Sequence, residues 1–305
     1  MDLGMVFPQV RTRDSVELEP GTYAINIAGV EAGRGSAPSG KMLALGDQLD
    51  ALPGTTTTEP VFGLTGKWIP AEMRHSAEMT GATVIDRVSV LITHLQTIVT
   101  RNAARLLTRE DVRILTEDTK AKNPSAVDEL TPSLLSLGEI QRVLQGLLDE
   151  QVPINDLSRI YEAMGLKAKT STDPETLIET CRNALGPVVA AGYIEEGALR
   201  AITMDPVLEQ RLFENLRPSE AGARIVLEAG TLIALASSVR EQHELSLSVG
   251  YSPVLVSAPA LRPAMRRLLD DQSIELPVLT YDEVTCIGAT IETTGVVRHA
   301  QPVDA

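Results

Sequence analysis

A helical stretch in the middle of this 305-residue sequence most constrains its fold, because it separates two regions of mixed character. Between Thr108 and about Leu185, apolar residues recur at the three- and four-residue spacing of amphipathic helices. Thr108–Asp111 and Ser136–Glu139 both fit the capping box, in which an acidic residue follows a hydroxyl residue by three positions. Further predicted helix starts and stops are Asn155, Gly165, Asp173 and Gly186. The pattern therefore predicts a bundle of about five helices.

The regions on either side of the bundle combine strands with helices. Asp86 is placed to cap a long helix. In the first region the predicted strands are 23–28 and 42–45, the predicted loop is 52–58, and the predicted helices are 70–81 and 86–107. In the last region the predicted helices are 208–215, 220–244 and 261–269, and the predicted strands are 254–257, 274–279 and 285–291. Both flanking regions are therefore predicted to be α/β.

Charge and aromatic content limit the classes of partner. The formal net charge is -14 and aromatic residues make up 3% of the chain. A surface this acidic repels phosphate backbones, and so few rings cannot form a platform for stacked bases. The nearest basic cluster is Arg262, Arg266 and Arg267, whose helical spacing predicts a solvated face. Nucleic acid is not an expected partner.

Two cysteines, Cys181 and Cys286, lie far apart in the sequence without a CxxC pattern. We expect both to be buried, unpaired and in a reducing compartment. No apolar run reaches the roughly 18 residues that span a bilayer, and the first residues lack the pattern of a signal peptide. The sequence as given is therefore expected to be soluble and cytoplasmic.

One segment, Gly35–Lys41, matches the GxxxxGK part of a phosphate-binding loop. Met42 stands where that motif has the Ser or Thr that holds magnesium, and the residues that follow predict a strand or turn instead of a helix. We therefore predict a turn between strands.

Catalytic and metal-binding constellations are also missing from the sequence. The four histidines share no ligand spacing, and neither HExxH nor GxSxG occurs. His94 falls inside an apolar helix and is predicted to be a hydrogen-bonded core or rim histidine. The paired carboxylates Glu117/Asp118 and Asp149/Glu150 are expected to be solvated. We expect neither an enzyme nor a cofactor or metal site.

Several motifs in order resemble one family. Residues 59–69 contain Glu-Pro-x-Phe-Gly-Leu followed by Trp-Ile, residues 80–86 read Thr-Gly-Ala-Thr-Val-Ile-Asp, and residues 93–95 read Thr-His-Leu. Residues 137–157 and 251–284 extend the likeness, so that it covers about residues 1–292. These motifs resemble those of the FlhA family of flagellar type III export-gate proteins, a fold shared with the export gates of virulence injectisomes.

The resemblance implies a multi-subdomain fold of the α+β or α/β class. It predicts a first α/β subdomain, an inserted small α/β subdomain, an all-helical subdomain and a C-terminal α/β subdomain. The corresponding ranges are 1–40 plus 91–107, 41–90, 108–187 and 188–295, with a flexible tail over 296–305. The opening strand and helix of the family's first subdomain are expected to be missing.

The resemblance also implies a non-enzymatic docking platform on the cytoplasmic side of the bacterial inner membrane. Its expected partners are flagellar export chaperones with bound late substrates, an export switch protein and the stalk of an ATPase complex. It further implies self-association as a nonameric ring, with membrane segments in the full-length protein. The implied chaperone-binding residues are Glu59, Phe62, Ile85, Val90 and Thr93. Glu59 is expected as a polar rim beside an apolar dimple.

Three alternatives stay open. One is the equivalent platform of a virulence injectisome. Another is a nucleotide-using enzyme built on Gly35–Lys41, which MgATP would stabilise against thermal unfolding. The third is a ring subunit that binds no client.

Overall fold

The computed structural model describes residues 3–6, 8–219 and 222–298. The chain forms two compact units. One unit comprises residues 5–108, and the other comprises residues 109–298 together with residues 3 and 4. The finer division into four subdomains remains a prediction.

The unit over residues 5–108 contains six strands and three α-helices in its described part. Its strands are β1 (Thr22–Ile27), β2 (Val30–Ser36), β3 (Lys41–Leu45), β4 (Thr55–Thr58), β5 (Thr65–Pro70) and β6 (Thr83–Asp86). Its helices are α1 (Arg74–Met79), preceded by a 3-10 turn over Ala71–Met73, then α2 (Arg87–Arg101) and α3 (Ala103–Leu106). The strands form a β1–β2 hairpin and a four-stranded sheet in the order β4-β5-β3-β6. The Thr run of the predicted loop is strand β4, and the long predicted helix breaks at Asn102.

The four-stranded sheet buries both of its faces, because neighbouring side chains on a strand point to opposite sides. On one face Leu43 and Trp68 pack with Val90 of α2. On the other face Ala44 and Ile69 lie in a separate cluster, whose buried members are Ala44, Leu49, Leu52, Ile69 and Ala77. The sheet therefore fixes α2 against the side that carries Trp68.

The second unit contains ten α-helices and seven strands among its described residues. The helices are α4 (Arg109–Lys122), α5 (Pro124–Leu130), α6 (Leu137–Asp149), α7 (Leu157–Ala168), α8 (Pro174–Ala184), α9 (Gly186–Ala191), α10 (Pro206–Glu214), α11 (Ala229–Ser248), α12 (Arg262–Asp271) and α13 (Tyr281–Thr285). The strands are β7 (Ile194–Glu195), β8 (Ala198–Met204), β9 (Leu216–Arg217), β10 (Arg224–Ile225), β11 (Val254–Ser257), β12 (Val278–Thr280) and β13 (Thr290–Val297).

Local capping signals set the starts of several helices in the bundle. Ser136 and Glu139 form the predicted capping box at the start of α6. Asp173 caps α8 by accepting from the amide of Thr176 at 2.8 Å. The predicted N-cap of α7, Asn155, is wrong by one residue, because Asp156 caps this helix. Gly165 does not end α7, which continues to Ala168. A Cβ at Gly165 would meet no atom within 4 Å.

The last part of the chain builds a parallel sheet in the order β12-β11-β8-β13, with β7 antiparallel to β8. Helices α10, α11 and α12 pack on it through a cluster that includes Leu212, Val239 and Met265. The fold is thus of the mixed helix-and-sheet, multi-subdomain class that the sequence predicted.

Two predictions in this region are wrong. The helix predicted over 220–244 begins only at Ala229 and runs to Ser248, because residues 224–225 pair with 216–217 as β10 and β9. The strand predicted over 285–291 begins only at Thr290, as β13, because α13, which a Thr280–Glu283 capping box starts, runs to Thr285 and a turn with Gly288 at a φ of 62° follows. The tail predicted over 296–305 stays a prediction, and β13 continues to Val297. Residues 299–305 lie outside the described residues.

Three predictions about individual side chains are also wrong. Arg262 is not on a solvated face: it is 1% exposed and bonded to Glu150 and Glu179. Glu150 is accordingly part of a buried ion network instead of a solvated pair. Cys286 is exposed, whereas Cys181 is buried as expected.

Candidate docking site

The turn between β4 and β5 is built around the side chain of Glu59. One carboxylate oxygen accepts from the amide of Val61 at 3.0 Å, and the other accepts from the amide of Phe62 at 2.6 Å. The main chain of the turn closes through Glu59 N–H to the carbonyl of Leu64 at 2.8 Å and Gly63 N–H to the carbonyl of Glu59 at 3.1 Å. Gly63 adopts a φ of 69°, a left-handed conformation that a residue without a Cβ takes without strain. The sequence Glu-Pro-Val-Phe-Gly-Leu thus specifies a defined loop.

This turn exposes two large apolar side chains. Phe62 is 72% exposed, and Leu64 is exposed as well. The side chain of Glu59 that organises them is only 5% exposed. An aromatic ring held outward on a hydrogen-bonded turn is a suitable anchor for a partner's apolar pocket or helix.

Helix α2 adds a second exposed apolar face in the same unit. Asp86 caps it by accepting from the amides of Val88 and Ser89 at 2.9 and 3.0 Å, as the sequence predicted. Val88 and Ile92 are both exposed, and their four-residue spacing puts them on one side of the helix. Thr93, next to Ile92, is also exposed.

The predicted wall residues have different positions. Val90 is 3% exposed, since it packs on Leu43 and Trp68 in the core. Ile85 is half-buried against the same cluster. Among the five implied site residues, Phe62 and Thr93 are therefore on the surface, Ile85 is at its edge, and Glu59 and Val90 support them from inside.

A partly buried polar pair, Tyr23 and His94, lies in the same unit. The hydroxyl of Tyr23 and Nδ1 of His94 share a hydrogen bond of 2.8 Å, and the two rings meet edge to face with centroids 5.7 Å apart. Burial, with the charge of Glu59 as a second cause, raises the pKa of Tyr23 to about 12. Burial lowers the pKa of His94, with Glu59 acting in the opposite direction. His94 is 4% exposed and hydrogen-bonded, which confirms the prediction of a hydrogen-bonded core or rim histidine at this position.

Strand β2 makes room for this pair with two glycines. A Cβ at Gly33 would lie 2.9 Å from Nε2 of His94, and a Cβ at Gly35 would lie 2.5 Å from the hydroxyl of Tyr23. Neither glycine has a left-handed backbone, so the close approach of the rings is the physical requirement. Sequence reasoning missed Tyr23, Gly33 and Gly35 because nothing local marks their distance from His94.

The GxxxxGK segment is a turn between strands, as predicted. Gly35 belongs to β2 and Lys41 begins β3, so no helix N-terminus follows the loop. The ammonium of Lys41 lies 3.5 Å from the hydroxyl of Thr55. The arrangement lacks the helix dipole and backbone amides with which a phosphate-binding loop holds its ligand.

In the described part of the chain, no group of three or more His, Cys, Asp or Glu side chains is arranged to hold a metal ion. Within the same ranges, none of the helices has the length and apolar character needed to cross a bilayer.

Comparison with solved structures identifies the class of this fold. It superposes on the Chlamydia pneumoniae CdsV protein with a TM-score of 0.85 at 24% identity, covering 97% of this chain and 86% of that one. It superposes on the nonameric SctV-C of EPEC with a TM-score of 0.77 at 18% identity, covering 97% and 89% of the two chains. The fold is that of the C-terminal cytoplasmic domains of type III export-gate proteins.

Comparison of sequences gives the family. The FHIPEP family profile matches residues 1–287, and this chain belongs to that family. It is 36% identical to the flagellar biosynthesis protein FlhA of Treponema pallidum, over 100% of this chain and 44% of that protein. It is 33% identical to FlhA of Bacillus subtilis, over 97% of this chain and 44% of that protein. The chain therefore spans less than half the length of these relatives.

Proposed function

We propose that this chain is a docking platform of a flagellar type III export gate, which binds export chaperones carrying late substrates and helps to order their export. The proposal requires an interaction surface and no chemistry of its own. The observation that carries it is the exposed ring of Phe62 on a turn that the buried Glu59 side chain organises.

The proposed surface consists of Phe62 and Thr93 with the half-buried edge of Ile85, supported from inside by Glu59 and Val90. A large ring exposed to water gains free energy when a partner covers it. A fixed turn also reduces the entropy that is lost when the ring is immobilised on binding. Apolar partner residues, such as one face of an amphipathic helix, are the matching chemistry.

Self-association belongs to the proposal as well. Two of the similar structures, SctV-C of EPEC and the cytosolic domain of EscV, are described as nonameric. We extend a ring arrangement to this protein, with an export switch protein and an ATPase stalk as further partners. In support of a further protein partner, CdsV has been solved in complex with CdsO, and that structure superposes on this chain with a TM-score of 0.83.

The equivalent platform of a virulence injectisome is the second candidate. Its support is structural, since the solved neighbours include MxiA of Shigella flexneri and InvA. Sequence favours the flagellar branch, because the FlhA relatives named above are 33–36% identical whereas those two structures are 18–19% identical.

Calorimetric titration with a purified chaperone–substrate complex from the same organism tests the proposal. Phe62→Ala is expected to weaken binding at least tenfold, which corresponds to about 1.4 kcal/mol or more. Phe213→Ala is the matched control, because Phe213 is a 51% exposed phenylalanine in the other unit. Equal affinities for wild type and Phe62→Ala would reject this surface.

A further inference from the structure

The carboxylate of Glu59 is already occupied by its own turn. It accepts from Val61 N–H at 3.0 Å through each of its two oxygens and from Phe62 N–H at 2.6 Å. Charge-assisted bonds of this kind are about twice as strong as neutral ones. A partner could not reach the carboxylate without first breaking them, since only 5% of the residue is exposed.

Phe62, in contrast to Glu59, has a side chain that is open to a partner. Its amide is the donor in the shortest of these bonds, while its ring extends into solvent. The direction of the ring therefore depends on a bond between the Phe62 main chain and the side chain of Glu59. Without that acceptor, two amides of the turn would have to find water, and the conformation of residues 60–63 would no longer be specified.

We infer that Glu59 is a positioning residue, which acts on docking only by fixing the Phe62 turn and does not itself contact the partner. This differs from the sequence expectation of an acidic rim. The inference rests on the proposed function for its consequence in binding, but its structural half concerns the free protein alone.

Amide hydrogen exchange in the free protein tests the structural half. In wild type, the amides of Val61 and Phe62 are expected to be protected. Glu59→Ala should accelerate their exchange by about tenfold or more. The amide of Ala71 is the internal control, because it donates to the carbonyl of Gly40 at 3.0 Å, outside the turn. Unchanged exchange at Val61 and Phe62 would overturn the inference.

A double-mutant cycle tests the functional half, with the purified chaperone–substrate complex as the probe. Glu59→Ala is expected to weaken binding about fivefold or more in the wild-type background and less than about twofold in Phe62→Ala, because both changes remove the same interaction. Losses that multiply in the double variant would show a direct contact and overturn the inference. If Phe62→Ala alone has no effect, the proposed function fails, and the exchange experiment still decides the role of Glu59.

A pair of substitutions of equal length separates charge from geometry. Asp and Asn at this position can both accept from amides two and three residues later, but only Asp carries a charge. Positioning predicts that any loss of binding by Glu59→Asn relative to Glu59→Asp is accompanied by faster exchange of the Val61 and Phe62 amides, because a neutral acceptor holds the turn less strongly. A loss of about tenfold or more confined to Glu59→Asn, with amide exchange equal in the two variants, would indicate an ionic contact with the partner and would contradict the inference. The intrinsic fluorescence of Trp68, the single tryptophan, checks that each variant is folded.

Discussion

The guanidinium of Arg262 on α12 makes two parallel hydrogen bonds to the carboxylate of Glu150, at 2.6 and 2.9 Å, across 112 positions of sequence. Arg262 also donates to Glu179 of α8 at 2.7 Å, and Arg182 connects Glu150 to Glu283 through bonds of 3.0 Å. The helical bundle and the C-terminal sheet of this unit are thus joined by a buried ion network. Burial acts to raise the pKa of Glu150, but Arg262 and Arg182 outweigh it and lower that pKa.

Removal of the central cation should therefore be costly. Arg262→Ala leaves Glu150 and Glu179 without their shared partner and is expected to destabilise this unit by about 3–5 kcal/mol. Denaturant unfolding followed by circular dichroism measures the change. The control is Arg113→Ala, which removes exposed pairs with Glu110 and Glu117 and should cost at most about 1 kcal/mol. Equal losses in the two variants would contradict a stabilising role for the buried network.

Acid sensitivity is expected in the other unit because His94 is buried in its neutral form. Its pKa in the folded protein is lowered, whereas an unfolded histidine titrates near about 6.5. Between these two values the unfolded state binds more protons, so the free energy of unfolding rises with pH. The stability that neutral His94 provides is present above about pH 6.5 and is lost as the pH falls below it.

His94→Asn should flatten this pH dependence below about pH 6.5. The measurement is denaturant unfolding followed by the fluorescence of Trp68, which belongs to the same unit. His243 is the matched control: burial lowers its pKa too, but it lies in the other unit, and His243→Asn should leave the Trp68-detected slope unchanged. A slope that survives His94→Asn would show that another group titrates.

The space around two glycines predicts opposite effects of alanine substitution on stability. Gly35→Ala would bring a methyl group to 2.5 Å from the Tyr23 hydroxyl and is expected to destabilise its unit by about 1–3 kcal/mol. Gly165→Ala is expected to stabilise the other unit by up to about 1 kcal/mol, because nothing lies within 4 Å of the new Cβ and alanine favours helix α7. Thermal unfolding measures both, and destabilisation by Gly165→Ala with none by Gly35→Ala would refute the packing argument.

Local signals explain which parts of the fold could be predicted. The caps at Asp86 and Ser136 depend on residues at most three positions away, so the sequence alone places them. A strand was wrongly predicted to begin at residue 285, because β-branched residues favour strands. The Thr280–Glu283 capping box instead begins a helix that includes Thr285. Arg262 looked solvated because its partners are 83 and 112 positions away.

The same reasoning applies to the candidate site. Its motif was recognised by resemblance, and the structure gives each residue a position that periodicity could not. Glu59 lies inside its turn because its backbone partners are two and three residues later, a local geometry that the motif alone does not reveal. Tyr23 comes into the site through a hydrogen bond to a residue 71 positions away. Long-range contacts of this kind need the folded chain.

Photocrosslinking from position 62 tests the central claim most directly. A benzophenone derivative of phenylalanine replaces Phe62, and in a second protein the same derivative replaces the exposed Phe213 of the other unit. Each protein is irradiated with the purified chaperone–substrate complex. Docking on the Phe62 turn predicts a crosslink to the chaperone from position 62 and none from position 213. A crosslink from position 213 alone, or complex formation with no crosslink from position 62, would contradict the account.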